Sequence, residues 1–108
     1  MDDRRKYERL SYPFPVRLET ITTNGKQVLN LVTRDISAGG TFISTSTSFS
    51  EGTRFILELT FPRNNQKPEH VKHVKTLNGC KGRLVRSTPH GIAIQFDRDC
   101  QMECLKIL

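Results

Sequence analysis

Short runs of alternating apolar and polar positions, each closed by turn residues, dominate this chain. Phe14, Val16 and Leu18 alternate with neighbours that face the other way, and predict a strand from residue 14 to about 22. Asn24-Gly25 is a strong two-residue hairpin signal, after which a return strand is expected over residues 28–36. Ser37-Ala38-Gly39-Gly40 punctuates the chain, and Thr41-Phe42-Ile43-Ser44 resumes the β pattern, with Phe42 on one face and Thr41 and Ile43 on the other. A further strand is expected over residues 53–61, where Phe55, Leu57 and Leu59 mark one buried face and Pro62 terminates the run. Residues 63–68 are a polar loop. Val71, Val74 and Leu77 are too irregularly spaced to define more than a segment compatible with a strand. Asn78-Gly79 and Gly82 break the chain ahead of a strand at 83–87, residues 89–91 turn, and Ile92, Ile94 and Phe96 make the last alternating strand. Asp97 or Asp99 then caps a short helix carrying Cys100, Met102, Cys104, Leu105 and Leu108.

About six antiparallel strands with turns at regular intervals predict a mainly β fold, a small six-stranded antiparallel barrel with a short C-terminal helix. Residues 1–13 are charged, lack apolar periodicity and run into Pro13 and Pro15, which disfavour helix. They are expected to be a flexible N-terminal arm ahead of one domain at 14–108. A chain of 108 residues has room for one modest core and no second domain.

Charge sharpens the partner class. Lys and Arg number 17 against 11 Asp and Glu, a net charge of +6 that favours anionic partners: a nucleotide, nucleic acid, a membrane surface or an acidic protein. No apolar stretch approaches the roughly 18 residues needed to span a bilayer, and no hydrophobic leader follows the charged start, so a cytoplasmic location is expected. Cys80, Cys100 and Cys104 are odd in number and match neither a zinc nor a disulfide spacing, so reduced thiols are expected, with Cys100 and Cys104 packing as small hydrophobes on one helix face.

Two clusters carry candidate chemistry. Arg5 and Arg9, with Arg4 beside them, place guanidinium forks on the arm, and such forks meet a phosphate or the O6 and N7 edge of guanine two bonds at a time. Asp35 and Ser37 alternate with Ile36 at a strand end, so both polar side chains face one way while Ile36 faces the core. A carboxylate accepts from guanine N1 and N2, a hydroxyl bonds base or phosphate, and Gly40 permits a left-handed backbone or close ligand approach. A solvated charge cluster and an ordinary turn account for either motif taken alone.

In this order, on either side of the first hairpin, the two motifs resemble the PilZ family of cyclic di-GMP receptor domains. Arg4-Arg5-Lys6-Tyr7-Glu8-Arg9 is similar to the family's RxxxR arm and Asp35-Ile36-Ser37-Ala38-Gly39-Gly40 to its [D/N]xSxxG turn. Pro15-Val16-Arg17-Leu18, Gly52-Thr53-Arg54-Phe55, Gly82-Arg83-Leu84-Val85 and Gly91-Ile92-Ala93-Ile94-Gln95-Phe96 resemble its strands. The resemblance implies a PilZ-like split barrel, no catalytic activity and no cofactor. It also implies that cyclic di-GMP binds Arg5, Arg9, Asp35, Ser37 and Gly40. Arg4, a basic residue just ahead of the first motif arginine, adds the expectation of an intercalated nucleotide dimer.

The arm is then expected to order over the nucleotide and to signal by association with an effector protein in motility, secretion or polysaccharide synthesis. Two alternatives compete: a small basic barrel that binds single-stranded nucleic acid, and a PilZ-like adaptor that binds no nucleotide. Against the first, Phe14, Phe42, Phe55, Phe61 and Phe96 occupy positions that look internal rather than displayed for base stacking, and Trp is absent. Against the second, all five motif residues are intact. His70, His73 and His90 form no ligand triplet, and no nucleophile elbow, phosphate-cradling loop or metal signature occurs, which argues against an enzyme.

Overall fold

Backbone pairing closes the sheet on itself. The computed structural model describes residues 11, 13–22, 25–62 and 74–107. They form β1 (Pro15–Thr22), β2 (Gly25–Ile36), β3 (Gly40–Ser44), β4 (Arg54–Pro62), β5 (Val74–Thr88), β6 (Gly91–Phe96) and α1 (Arg98–Ile107). The strands follow the order β1-β2-β3-β6-β5-β4 around a closed antiparallel barrel, so each of the described strands has a neighbour on both sides. No helix among the described residues is long and apolar enough to cross a membrane.

The period-two pattern fills the interior. Val16 and Leu18 of β1, Phe55, Leu57, Leu59 and Phe61 of β4, and Ile92, Ile94 and Phe96 of β6 are all buried in one core. Phe14 joins it, its ring tilted against Phe61 with centroids 5.2 Å apart. At one end of the barrel α1 packs on β5 and β6. Of the two expected caps, Asp97 holds the N-cap place: its carbonyl accepts from the Gln101 N–H at 2.9 Å, while its carboxylate accepts from Arg54 at 2.6 Å. Asp99 in the first turn and Lys106 in the last complement the helix dipole.

Several expectations are corrected. Asn78-Gly79 and Gly82 do not interrupt a strand, because β5 runs through all three as a single element of 15 residues. Leu57 pairs with Cys80 and Leu59 with Leu77, so β5 carries one extra residue there, and Gly79 absorbs it at φ 69° as a bulge. In the first hairpin Thr22 already pairs with Gly25, which puts Gly25 inside β2 at φ 116° rather than in the turn. Residues 63–73, with His70 and His73, lie outside the described residues.

Cys80 and Cys100 are paired as a disulfide across 20 residues, Cα atoms 5.2 Å apart, against the expectation of three reduced thiols. The fold-back of α1 onto β5 brings them together, and no linear spacing displays that. Cys104 remains a free, buried thiol. Phe42 is buried but not internal: Ile43 beside it is the core residue, and the Phe42 ring lies on the outer wall with the Arg34 guanidinium 4.4 Å from its centroid.

Candidate functional site

The corner between β2 and β3 owes its geometry to one extra residue. Thr33 pairs with Ile43 and Asp35 with Phe42, so Arg34 is bulged out of the ladder. Were Arg34 paired in a regular ladder, the alternation that buries Thr33 would also turn Asp35 inward; with Arg34 bulged, Asp35 shares the outer face with Phe42 while Ile36 drops into the core, fully buried. Past the strand end the Ser37 N–H donates to the Gly40 carbonyl at 2.9 Å, and Ser37 Oγ accepts from the Gly39 N–H at 3.2 Å. The Thr41 hydroxyl donates to the Asp35 carbonyl at 2.7 Å, and the Phe96 N–H ties Gly39 to the barrel at 2.9 Å. The corner is therefore fixed by backbone bonds on both sides.

Beneath it the outer wall is shallow because small residues occupy its middle. An open depression of about 440 Å³ is lined by Asp35, Ser37 and Gly40 together with Phe42, Ala93, Gln95 and Arg86. One cross-strand row runs Asp35, Phe42, Ala93, Arg86 over β2, β3, β6 and β5. A carboxylate and a guanidinium thus stand at its two ends, about 14 Å apart along the sheet, with an aromatic ring and a methyl group between them. Arg86 reaches this face by a second bulge: Leu84 pairs with Ile94 and Arg86 with Ala93, leaving Val85 as the extra residue. The next row runs Gly40, Gln95, Arg83 and Arg54.

Gly40 serves the close approach and not a left-handed turn, since a methyl group there would collide with the carbonyl oxygen of Ile94 on β6. Asp35 is only 8% exposed, and Ser37 and Gly40 are half-buried, so a ligand seated here loses water from its polar edge. Three of the six expected site residues, Asp35, Ser37 and Gly40, are brought together in this depression. Arg4, Arg5 and Arg9 lie outside the described residues. Arg86, Gln95 and the Arg34–Phe42 stack escaped the sequence reading. The alternation of residues 91–96 already placed Gln95 outside, whereas Arg86 and Arg34 depend on the bulges. No cluster of His, Cys, Asp or Glu suited to a metal ion occurs among the described residues.

The chain enters the barrel beside this corner. The Phe14 N–H donates to Thr33 Oγ1 at 2.9 Å, and the Thr33 N–H donates to the Phe14 carbonyl at 2.9 Å. Phe14 is thus fastened two residues from Asp35.

Two solved structures share this architecture. The Bacillus subtilis inhibitor of motility (MotI/DgrA) superposes with a TM-score of 0.68 at 17% identity, over 97% of this chain and 49% of that one. This chain therefore spans about half the length of that protein. The PilZ domain of YcgR from Escherichia coli, solved with c-di-GMP, superposes with a TM-score of 0.58 at 19% identity, over 97% of this chain and 88% of that one. No curated protein matches the sequence at a significant level. The sequence profile of the PilZ domain matches residues 3–106, almost the full length. The chain belongs to the PilZ domain family.

Proposed function

We propose that this chain is a cytoplasmic receptor for cyclic di-GMP that grips the nucleotide between the Asp35–Ser37–Gly40 corner and the arginines of its N-terminal arm. The observation that carries this is the anchoring of Phe14 to Thr33. Arg9 stands five residues ahead of that anchor, and five extended residues reach at most about 17 Å, enough to return over the adjacent corner. Arg5 has four residues more. Family membership and the ligand of the YcgR domain support the same ligand class.

Asp35 accepts from the N1 and N2 donors of one guanine, Ser37 and the exposed edge of Gly40 hold it close to the wall, and Arg5 and Arg9 supply paired donors to O6, N7 and phosphate. Each such arginine–guanine pairing is worth about 1 to 3 kcal/mol of discrimination. Arg4 serves a second, intercalated nucleotide. Output passes through an effector protein that recognises the nucleotide-closed form, and the motility inhibitor among the structural neighbours favours a motility component.

Calorimetry of the purified chain with cyclic di-GMP, with GTP as control, tests the proposal. Micromolar or tighter binding of the cyclic dinucleotide alone is expected, at one or two molecules per chain, with at least about a tenfold loss in Arg9→Ala and in Asp35→Ala. Equal affinity for GTP, or wild-type affinity in both variants, would overturn it.

A further inference from the structure

Gln95 and Arg83 stand opposite each other across the β5–β6 ladder, both on the outer face. Arg83 donates to Gln95 Oε1 from Nε at 3.3 Å and from Nη2 at 3.0 Å. A guanidinium carries five N–H donors and no acceptor, so only the oxygen branch of the carboxamide can face it. The amide is therefore held one way round. Its NH2 group is presented on the side away from Arg83, and on that side lies Gly40, directly opposite Gln95 on β3 with no side chain to block the approach. Gln95 lines the depression below the Asp35 corner, and Arg83 stands behind it.

We infer that Gln95, oriented by Arg83, is a specificity-determining contact that selects guanine over adenine. Guanine presents two acceptors, O6 and N7, on its outer edge, whereas adenine replaces O6 with an amino donor. An unrestrained glutamine pairs well with adenine, donating to N7 while accepting from N6. With its oxygen engaged by Arg83, Gln95 offers donors only, which match guanine and leave the adenine amino group facing another donor. A charged neighbour on the adjacent strand thus reverses the base preference that a free glutamine has. Arg83 acts here as a positioning residue and Gln95 as the contacting one.

The inference rests on the cyclic di-GMP reading above, and competition binding of cyclic di-GMP against cyclic di-AMP separates the two. The full chain is compared with Arg83→Ala, Gln95→Ala and Gln95→Glu, each checked for a wild-type circular dichroism spectrum. Wild type is expected to prefer cyclic di-GMP strongly. Arg83→Ala should shrink the preference at least about tenfold, chiefly by admitting the adenine dinucleotide, because the freed amide can turn. Gln95→Glu presents an acceptor and should weaken cyclic di-GMP more than Gln95→Ala does. A merely structural role would move both dinucleotides together. Unchanged ratios in all three variants, with cyclic di-GMP still bound, would overturn the assignment and leave the receptor standing; loss of all binding in wild type would overturn both.

Discussion

Folding moves the Cys104 thiol well away from its ordinary titration range. It is fully buried in the core at the helix end of the barrel. Burial, and then the negative charge of Glu103, raise its thiol from 9.0 to about 11. A group whose folded value is raised contributes its full stability below the unfolded value and loses it as pH rises through the folded one. Above pH 9 the unfolded chain sheds this proton while the folded chain keeps it, so the native state weakens between pH 9 and 11. At pH 10.5 urea denaturation should show wild type losing about 2 kcal/mol more, relative to its own stability at pH 8, than Cys104→Ala does. Parallel pH profiles for the two proteins would refute this. The same shift keeps Cys104 unreactive as a nucleophile at neutral pH.

Among elements, α1 is the one held by a covalent tie. The Cys80–Cys100 bond closes 20 residues that comprise most of the β5–β6 hairpin and the start of the helix. In the chain-entropy picture such a loop contributes about 3 kcal/mol. Reduction, or the Cys80→Ser/Cys100→Ser double variant, should lower the stability by that order while leaving the barrel closed, because the strand ladders and the remaining core do not depend on it. A near-native spectrum with a reduced Tm is the expected measurement, and an unchanged Tm would deny the bond any role. Strands with clean alternation were legible from sequence: residues 14–22, 53–61 and 91–96 each show their buried face directly. The length of β5 was not, because glycines that usually end a strand here serve a bulge at Gly79 and a close approach at Gly82, where a methyl group would press on Ile94. Asp35, Ser37 and Gly40 were legible because they form a contiguous motif. Arg86 and Gln95 come from strands remote in sequence and join them only through cross-barrel pairing.

At the scale of the whole molecule, the receptor proposed above requires the segment ahead of Phe14 and the outer wall beneath Asp35 to meet over one ligand. Fixing an arm of this length costs about 1 to 2 kcal/mol per residue in backbone entropy, so only a ligand that touches both arm and wall can offset it. Hydrogen exchange read by mass spectrometry should show amides of residues 2–12 slowing markedly with cyclic di-GMP, alongside the β2–β3 corner. Slowing confined to the corner would leave a binding site without a moving arm.

The single supernumerary residues at Arg34 and Val85 are the two places where this face could change chain length without changing the side chains it shows. Removing either one would keep every ligand-facing side chain in the sequence. Asp35 would still oppose Phe42, and Arg86 would still oppose Ala93, now in an unbulged ladder. Counting from Thr33 or Leu84, a one-codon deletion at either place should keep the outward face of this wall, whereas a deletion in the regular ladder of β6 would invert it.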